Sequence, residues 1–176
     1  HNFMNIAKKC LSVLLLCQAF VLGVSAKLQV TKTTDGTLVL TLERQGDLSA
    51  EFTYTREYVQ YTASDLLKPY LGVSKVKVIT KNGAAMSVQD FERLCGEDDQ
   101  ENNFPNVSNL DLENAKLAVA SSISKLHFMD KLKTVVLPRT LTTVPSMCFT
   151  GYNCKIEHVV IPDNPQRSVT VEAQPF

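Results

Sequence analysis

The chain has 176 residues, enough for one domain with its own apolar core. A content of 44% hydrophobic and 20% charged residues is that of a folded protein rather than a disordered one. Eighteen basic residues balance eighteen acidic ones and no basic run exceeds Lys8-Lys9, which argues against a nucleic-acid-binding surface.

Residues 1–26 read as a secretory signal peptide. Lys8 and Lys9 precede the apolar run from Leu11 to Leu22, and Gly23, Val24, Ser25 and Ala26 supply the small residues of a cleavage site. Cleavage is expected after Ala26, with Met4 as initiator and His1 to Phe3 upstream of it. The run is well short of the roughly 20 apolar residues a membrane span needs, so no span is expected after processing. Cys17 follows the bulky Leu16, which disfavours lipid attachment. Losing Lys8 and Lys9 leaves 16 basic against 18 acidic residues, a net charge of −2. Of five cysteines, Cys95, Cys148 and Cys154 remain. The odd count and the absence of C-x-x-C spacing indicate buried thiols rather than a disulfide framework or a zinc site.

Residues 27–72 form the next unit, an N-terminal hairpin and cap segment. Leu28 and Val30 alternate with polar residues, Asp35-Gly36 supplies a turn, and Leu38, Leu40 and Leu42 alternate on the return. Between 47 and 72 the spacing of Phe52, Tyr54, Tyr58 and Tyr61 mixes strand and helix periods, and Leu66-Leu67 before Pro69 predicts a short helix.

From Val73 onward one template recurs, apolar at positions 1, 4 and 6: Val73/Val76/Val78, Val107/Leu110/Leu112, Leu132/Val135/Leu137 and Ile156/Val159/Ile161. The starts lie 34, 25 and 24 residues apart; the last two spacings fall in the leucine-rich-repeat range. The first interval contains the one clear helix: Ser87 and Asp90 make a capping box, Val88, Phe91, Leu94 and Cys95 an apolar face, and Gly96 the stop. The predicted fold class is therefore α/β: a strand-rich leucine-rich-repeat solenoid over 73–176, with a short parallel β-ladder on its concave face and one helix in the N-terminal cap. Positions 4 and 6 face the core, each repeat burying its apolar side against the next. Pro138 and Pro162 end the last two strands.

The stretch from Leu132 through Pro138, Cys148-Phe149 and Cys154 to Ile161-Pro162 resembles one repeat of the BspA-like leucine-rich-repeat proteins of bacterial cell surfaces, with Cys148 where the family usually has Ala. Residues 88–94 and 107–116 resemble the cap that opens such arrays. The resemblance implies an exported or cell-surface protein that binds other proteins or mediates adhesion; the alternative is a structural cap and spacer presenting a distal functional domain. Val171 to Phe176 resembles Val144 to Phe149, which predicts a chain that stops within a repeat and so a fragment with an uncapped end.

No catalytic constellation is found. His127 and His158 lack partners for catalysis, the familiar nucleophile, zinc-protease and phosphate-loop motifs are absent, and the repeat register assigns Cys148 and Cys154 to a packed bend. The acidic run from Glu97 to Glu101 lacks the alternation of a calcium loop, and Asn106-Val-Ser108 is a glycosylation sequon only in a eukaryotic secretory route. No enzyme activity, cofactor or metal is therefore expected. Alternation exposes Lys75, Lys77, Asn109, Asp111, Thr134, Val136, His158 and Val160 on the concave face. These are the candidate ligand-binding residues, with an opposite-charge rung at Lys77 and Asp111 and an apolar one at Val136 and Val160. The expected partner is a host extracellular or bacterial surface protein.

Overall fold

The computed structural model describes residues 27–57, 60–98, 102–145, 149 and 154–172; the signal peptide expected over residues 1–26 lies outside them. Strands β1 (Gln29–Lys32) and β2 (Leu38–Leu42) form an antiparallel hairpin. Its turn carries Gly36 at φ 86°, a backbone region that costs glycine little. Leu38, Leu40 and Leu42 are fully buried while Val39 is half-buried, as a strand with one covered face requires.

A second hairpin, β3 (Phe52–Thr55) with β4 (Gln60–Ala63), stands apart from the main sheet. It resolves the mixed spacing of its tyrosines as strand: Tyr54 and Tyr61 are direct cross-strand neighbours with ring centroids 5.1 Å apart. The helix predicted near Pro69 is a single 3-10 turn, Lys68–Tyr70.

The central sheet has six strands in the order β1-β2-β5-β6-β7-β9. Strands β5 (Lys75–Thr80), β6 (Asn109–Asp111), β7 (Thr134–Val136) and β9 (His158–Val160) run parallel to β2 and to each other. Two further short strands, β8 (Thr143–Val144) and β10 (Thr170–Val171), make a separate parallel pair.

This architecture corrects the expected solenoid. The sheet is mixed, opening with an antiparallel strand. The connections are not copies of one unit either: helix α1 (Val88–Cys95) lies between β5 and β6, a 3-10 helix (Ala120–Phe128) between β6 and β7, and strand β8 between β7 and β9. An apolar 1-4-6 pattern encodes a strand with one covered face, which any sheet packed on one side satisfies; the crossovers decide the fold. The expectation of one clear helix is corrected too. Ala120–Phe128 is a second helical element, and it buries Ile123 and Leu126.

Helix α1 forms where the capping residues placed it. The Ser87 side chain accepts from the Asp90 N–H at 3.0 Å, and the Asp90 carboxylate accepts from the Ser87 N–H at 2.9 Å. Asp90 is wholly buried and also accepts from the N–H groups of Gly46 (2.9 Å) and Ser49 (2.8 Å). One carboxylate thus closes the helix and ties it to the loop after β2. At the other end Arg93, only 3% exposed, lies 3.2 Å over the Tyr61 ring and bonds Glu97 at 2.6 Å, fixing the second hairpin to the helix. Phe52 and Phe104 meet edge to face across the same junction at 6.4 Å.

One core runs from Leu28 to Phe149 and includes Val76, Val78, Leu110, Leu112, Val135 and Leu137. The fourth occurrence of the pattern departs from it: Val159 is only partly buried and Ile161 is 42% exposed. The placement of Ile161 in the continuous core is therefore wrong. Among the described residues β9 has a neighbour on one side only, so nothing continues the layer over Ile161.

Candidate functional site

The parallel register places the eight candidate residues on the face opposite the core in two rows. Lys75, Asn109, Thr134 and His158 are aligned in one, and Lys77, Asp111, Val136 and Val160 in the other. Parallel strands lie about 4.8 Å apart, so each row spaces its side chains by roughly that distance. Asn109, His158 and Val160 are exposed and the other five half-buried.

Six of the eight line one shallow depression of about 340 Å³: Lys75, Lys77, Asn109, Asp111, Thr134 and Val136. His158 and Val160, on the edge strand, lie beyond its rim. The sequence pattern missed the other wall, which comes from the first hairpin: Thr33, Asp35, Thr37 and Val39. Parallel pairing of β2 with β5 sets Val39 beside Lys77. That pairing joins strands more than thirty residues apart and leaves no local trace. The only signal was the Asp35-Gly36 turn.

The electrostatics are those of a self-neutralised surface. Lys77 Nζ lies 3.3 Å from Asp111, both side chains 31% exposed, and Lys75 Nζ lies 3.7 Å from Asp35. Asp35 is held by its own turn. Its carboxylate accepts from the Thr33 hydroxyl, the Thr37 N–H at 3.2 Å and the Thr37 hydroxyl at 3.0 Å. These bonds, with a smaller contribution from Lys75, lower its pKa to about 2. The depression thus has two fixed ion pairs toward β2, β5 and β6, and an apolar side at Val136 that continues to the 46% exposed Val160.

A second trough, of about 550 Å³, crosses the carboxyl ends of β2, β5 and β6. Its floor includes a tight turn at Asn82-Gly83 (φ 54° and 75°), closed by Ala84 N–H to Lys81 O at 2.9 Å. It is a more open surface, with Glu43, Arg44 and Lys116 at its sides.

The side chains weighed for chemistry are dispersed. The His127 ring bonds the Ser124 carbonyl oxygen within its own 3-10 helix and packs 3.9 Å from the Phe128 ring, while His158 is on β9. Cys95 is fully buried, and burial drives its thiol pKa far upward; Cys154 is half-buried and Cys148 lies outside the described residues. Glu97 pairs with Arg93, and residues 99–101 of the acidic run are likewise not described. Among the described residues no three His, Cys, Asp or Glu side chains are grouped to hold a metal ion. No helix among them is long and apolar enough to cross a membrane.

No family model, curated protein or solved structure matches the chain, so the resemblance to BspA-like proteins gains no support from comparison.

Proposed function

We propose that the exposed face of the six-stranded sheet is a protein-recognition surface and that the chain acts outside the cytoplasm, by binding alone. The observation that carries this reading is the depression itself. Residues from four strands and a hairpin turn converge on it, its charged groups are already paired, and its apolar end is open. Paired charges on rigid strands orient a partner without a large desolvation cost, while an apolar rung supplies buried area. The Lys8-to-Ala26 leader supports export.

The test uses a panel of purified extracellular and surface proteins, screened by interferometry against the full chain. A specific binder should lose about tenfold or more in affinity to Val136→Asp, which buries a charge in the contact. It should be unaffected by Thr62→Ala on the separate hairpin. A binder equally indifferent to both changes, or no binder at all, would favour the spacer reading. Export is tested separately: N-terminal sequencing of the secreted protein should begin at Lys27.

A further inference from the structure

The two ion pairs of the depression balance its charge but leave its hydrogen-bond donors in excess. A carboxylate offers about four acceptor sites, and three of those on Asp35 are filled within its own turn, by the Thr33 hydroxyl, the Thr37 N–H and the Thr37 hydroxyl. Asp111 accepts the Glu113 N–H at 2.9 Å. Both carboxylates are therefore anchored to the backbone. The ammonium groups are not. Lys75 Nζ stands 3.7 Å from Asp35 and Lys77 Nζ 3.3 Å from Asp111, beyond the roughly 2.7–2.9 Å of a charge-assisted hydrogen bond, and each sits on a long flexible stem. Asn109 is aligned with Lys75 on the neighbouring strand. Its Oδ1 accepts the Ser108 hydroxyl at 3.0 Å, while its amide N–H groups bond nothing among the described residues.

We propose that this face recognises an acidic side chain on an extended segment of its protein partner, seated among Lys75, Lys77 and Asn109, with the apolar side chain two residues along laid on Val136. The inference rests on the recognition reading above and specifies its ligand. Lys75 and Lys77 are two positions apart on β5 and so project from the same face, and Asn109 stands across from Lys75 on β6. Three donors thus surround one point between β5 and β6. With formal charge balanced, the sign of the ligand is set by the groups that can turn toward it. The lysines can, whereas each aspartate would have to give up bonds to its own turn. A partner carboxylate accepts from both ammonium groups and from the Asn109 amide. A partner cation meets carboxylates already loaded. The point between β5 and β6 lies about 7 Å from β7, one and a half strand spacings, and side chains i and i+2 of an extended segment are separated by about the same distance. Val136 on β7 is therefore placed for the second side chain. The depression is shallow and open, so the segment passes across it and the acid comes from a side chain rather than a chain end.

Peptide titrations followed by amide NMR on the full chain test the proposal. The probes are the end-blocked peptide Gly-Ser-Glu-Ser-Val-Ser-Gly, the same peptide with Gln for Glu, and the Gln peptide with a free terminal carboxylate. The Glu peptide should shift the amides of Lys75, Lys77, Asn109 and Val136 and bind about fivefold tighter than the blocked Gln peptide. Lys75→Gln should abolish that preference. Asp111→Asn keeps an oxygen for the Glu113 N–H and releases Lys77, so it should tighten the Glu peptide about threefold and leave the Gln peptide unchanged. A gain of this kind is not expected from a change that merely loosens the fold. Equal binding of the Glu and Gln peptides overturns the proposal, as does a preference that survives Lys75→Gln, an Asp111→Asn variant with no gain, or binding of the free-terminus peptide alone. Peptides that leave the face unmoved at millimolar concentration overturn it as well. Recognition itself is tested by the protein panel above, so the two failures are distinct.

Discussion

At the residue scale, two aspartates show how position gives the same side chain different work. Asp90 is buried and accepts three backbone N–H groups, two of them, from Gly46 and Ser87, on one oxygen. Asp90→Ala removes these bonds from a closed site and should cost about 3 kcal/mol or more by denaturant titration. Asp90→Asn should still cost about 2 kcal/mol, since an amide group in place of the shared oxygen would turn its hydrogens toward two donors. Ser87 and Asp90 were recognisable as a capping pair from spacing alone. The bonds to Gly46 and Ser49 were not, because they join residues more than forty positions apart. Asp35 is exposed, and its pKa is lowered from 3.8 to about 2. A folded-state pKa below the unfolded value means that its stabilising effect is present above pH 4 and is lost as pH falls toward 2. The stability difference between the wild type and Asp35→Asn should therefore shrink over that interval. A difference that stays constant from pH 5 to pH 2 would show that the threonine bonds do not favour the charged form.

At the element scale, the strands were legible and their connections were not. The 1-4-6 pattern located β5, β6, β7 and β9 and assigned Val76, Leu110 and Val135 to the covered face, because strand alternation is a local property that sequence records directly. Ala120–Phe128 went unnoticed: a 3-10 helix has a three-residue period, and its buried residues, Ser122, Ile123 and Leu126, do not repeat at helical spacing long enough to register. The face–core distinction predicts a graded mutational series. Leu112→Ala should cost about 2–4 kcal/mol and Thr134→Ala under about 0.5 kcal/mol. Ile161→Ala should stay near the Thr134 value, since its side chain is 42% exposed. A cost at Ile161 equal to that at Leu112 would mean that the last occurrence of the pattern is buried as deeply as the others.

At the scale of the whole molecule, burial falls off along the sheet. Leu38, Val76, Leu110 and Val135 occupy one aligned layer of the core and are at most 1% exposed, whereas Val159, aligned with Val135, is only partly buried. A repeating pattern read from sequence assigns every occurrence the same environment. Three dimensions do not, because an inner strand is covered from both sides and an edge strand from one. Local opening depends on that coverage, so the sheet should release its strands from the β9 edge inward. Native-state hydrogen exchange should find the amides of Val76 to Val78 and Leu110 protected at the level of global unfolding. The Val159 amide, turned to the open edge, should exchange orders of magnitude faster, and that of Val160, bonded toward β7, should fall between. Equal protection of Val159 and Val135 would show that the edge is already covered, and would remove the basis for the gradient.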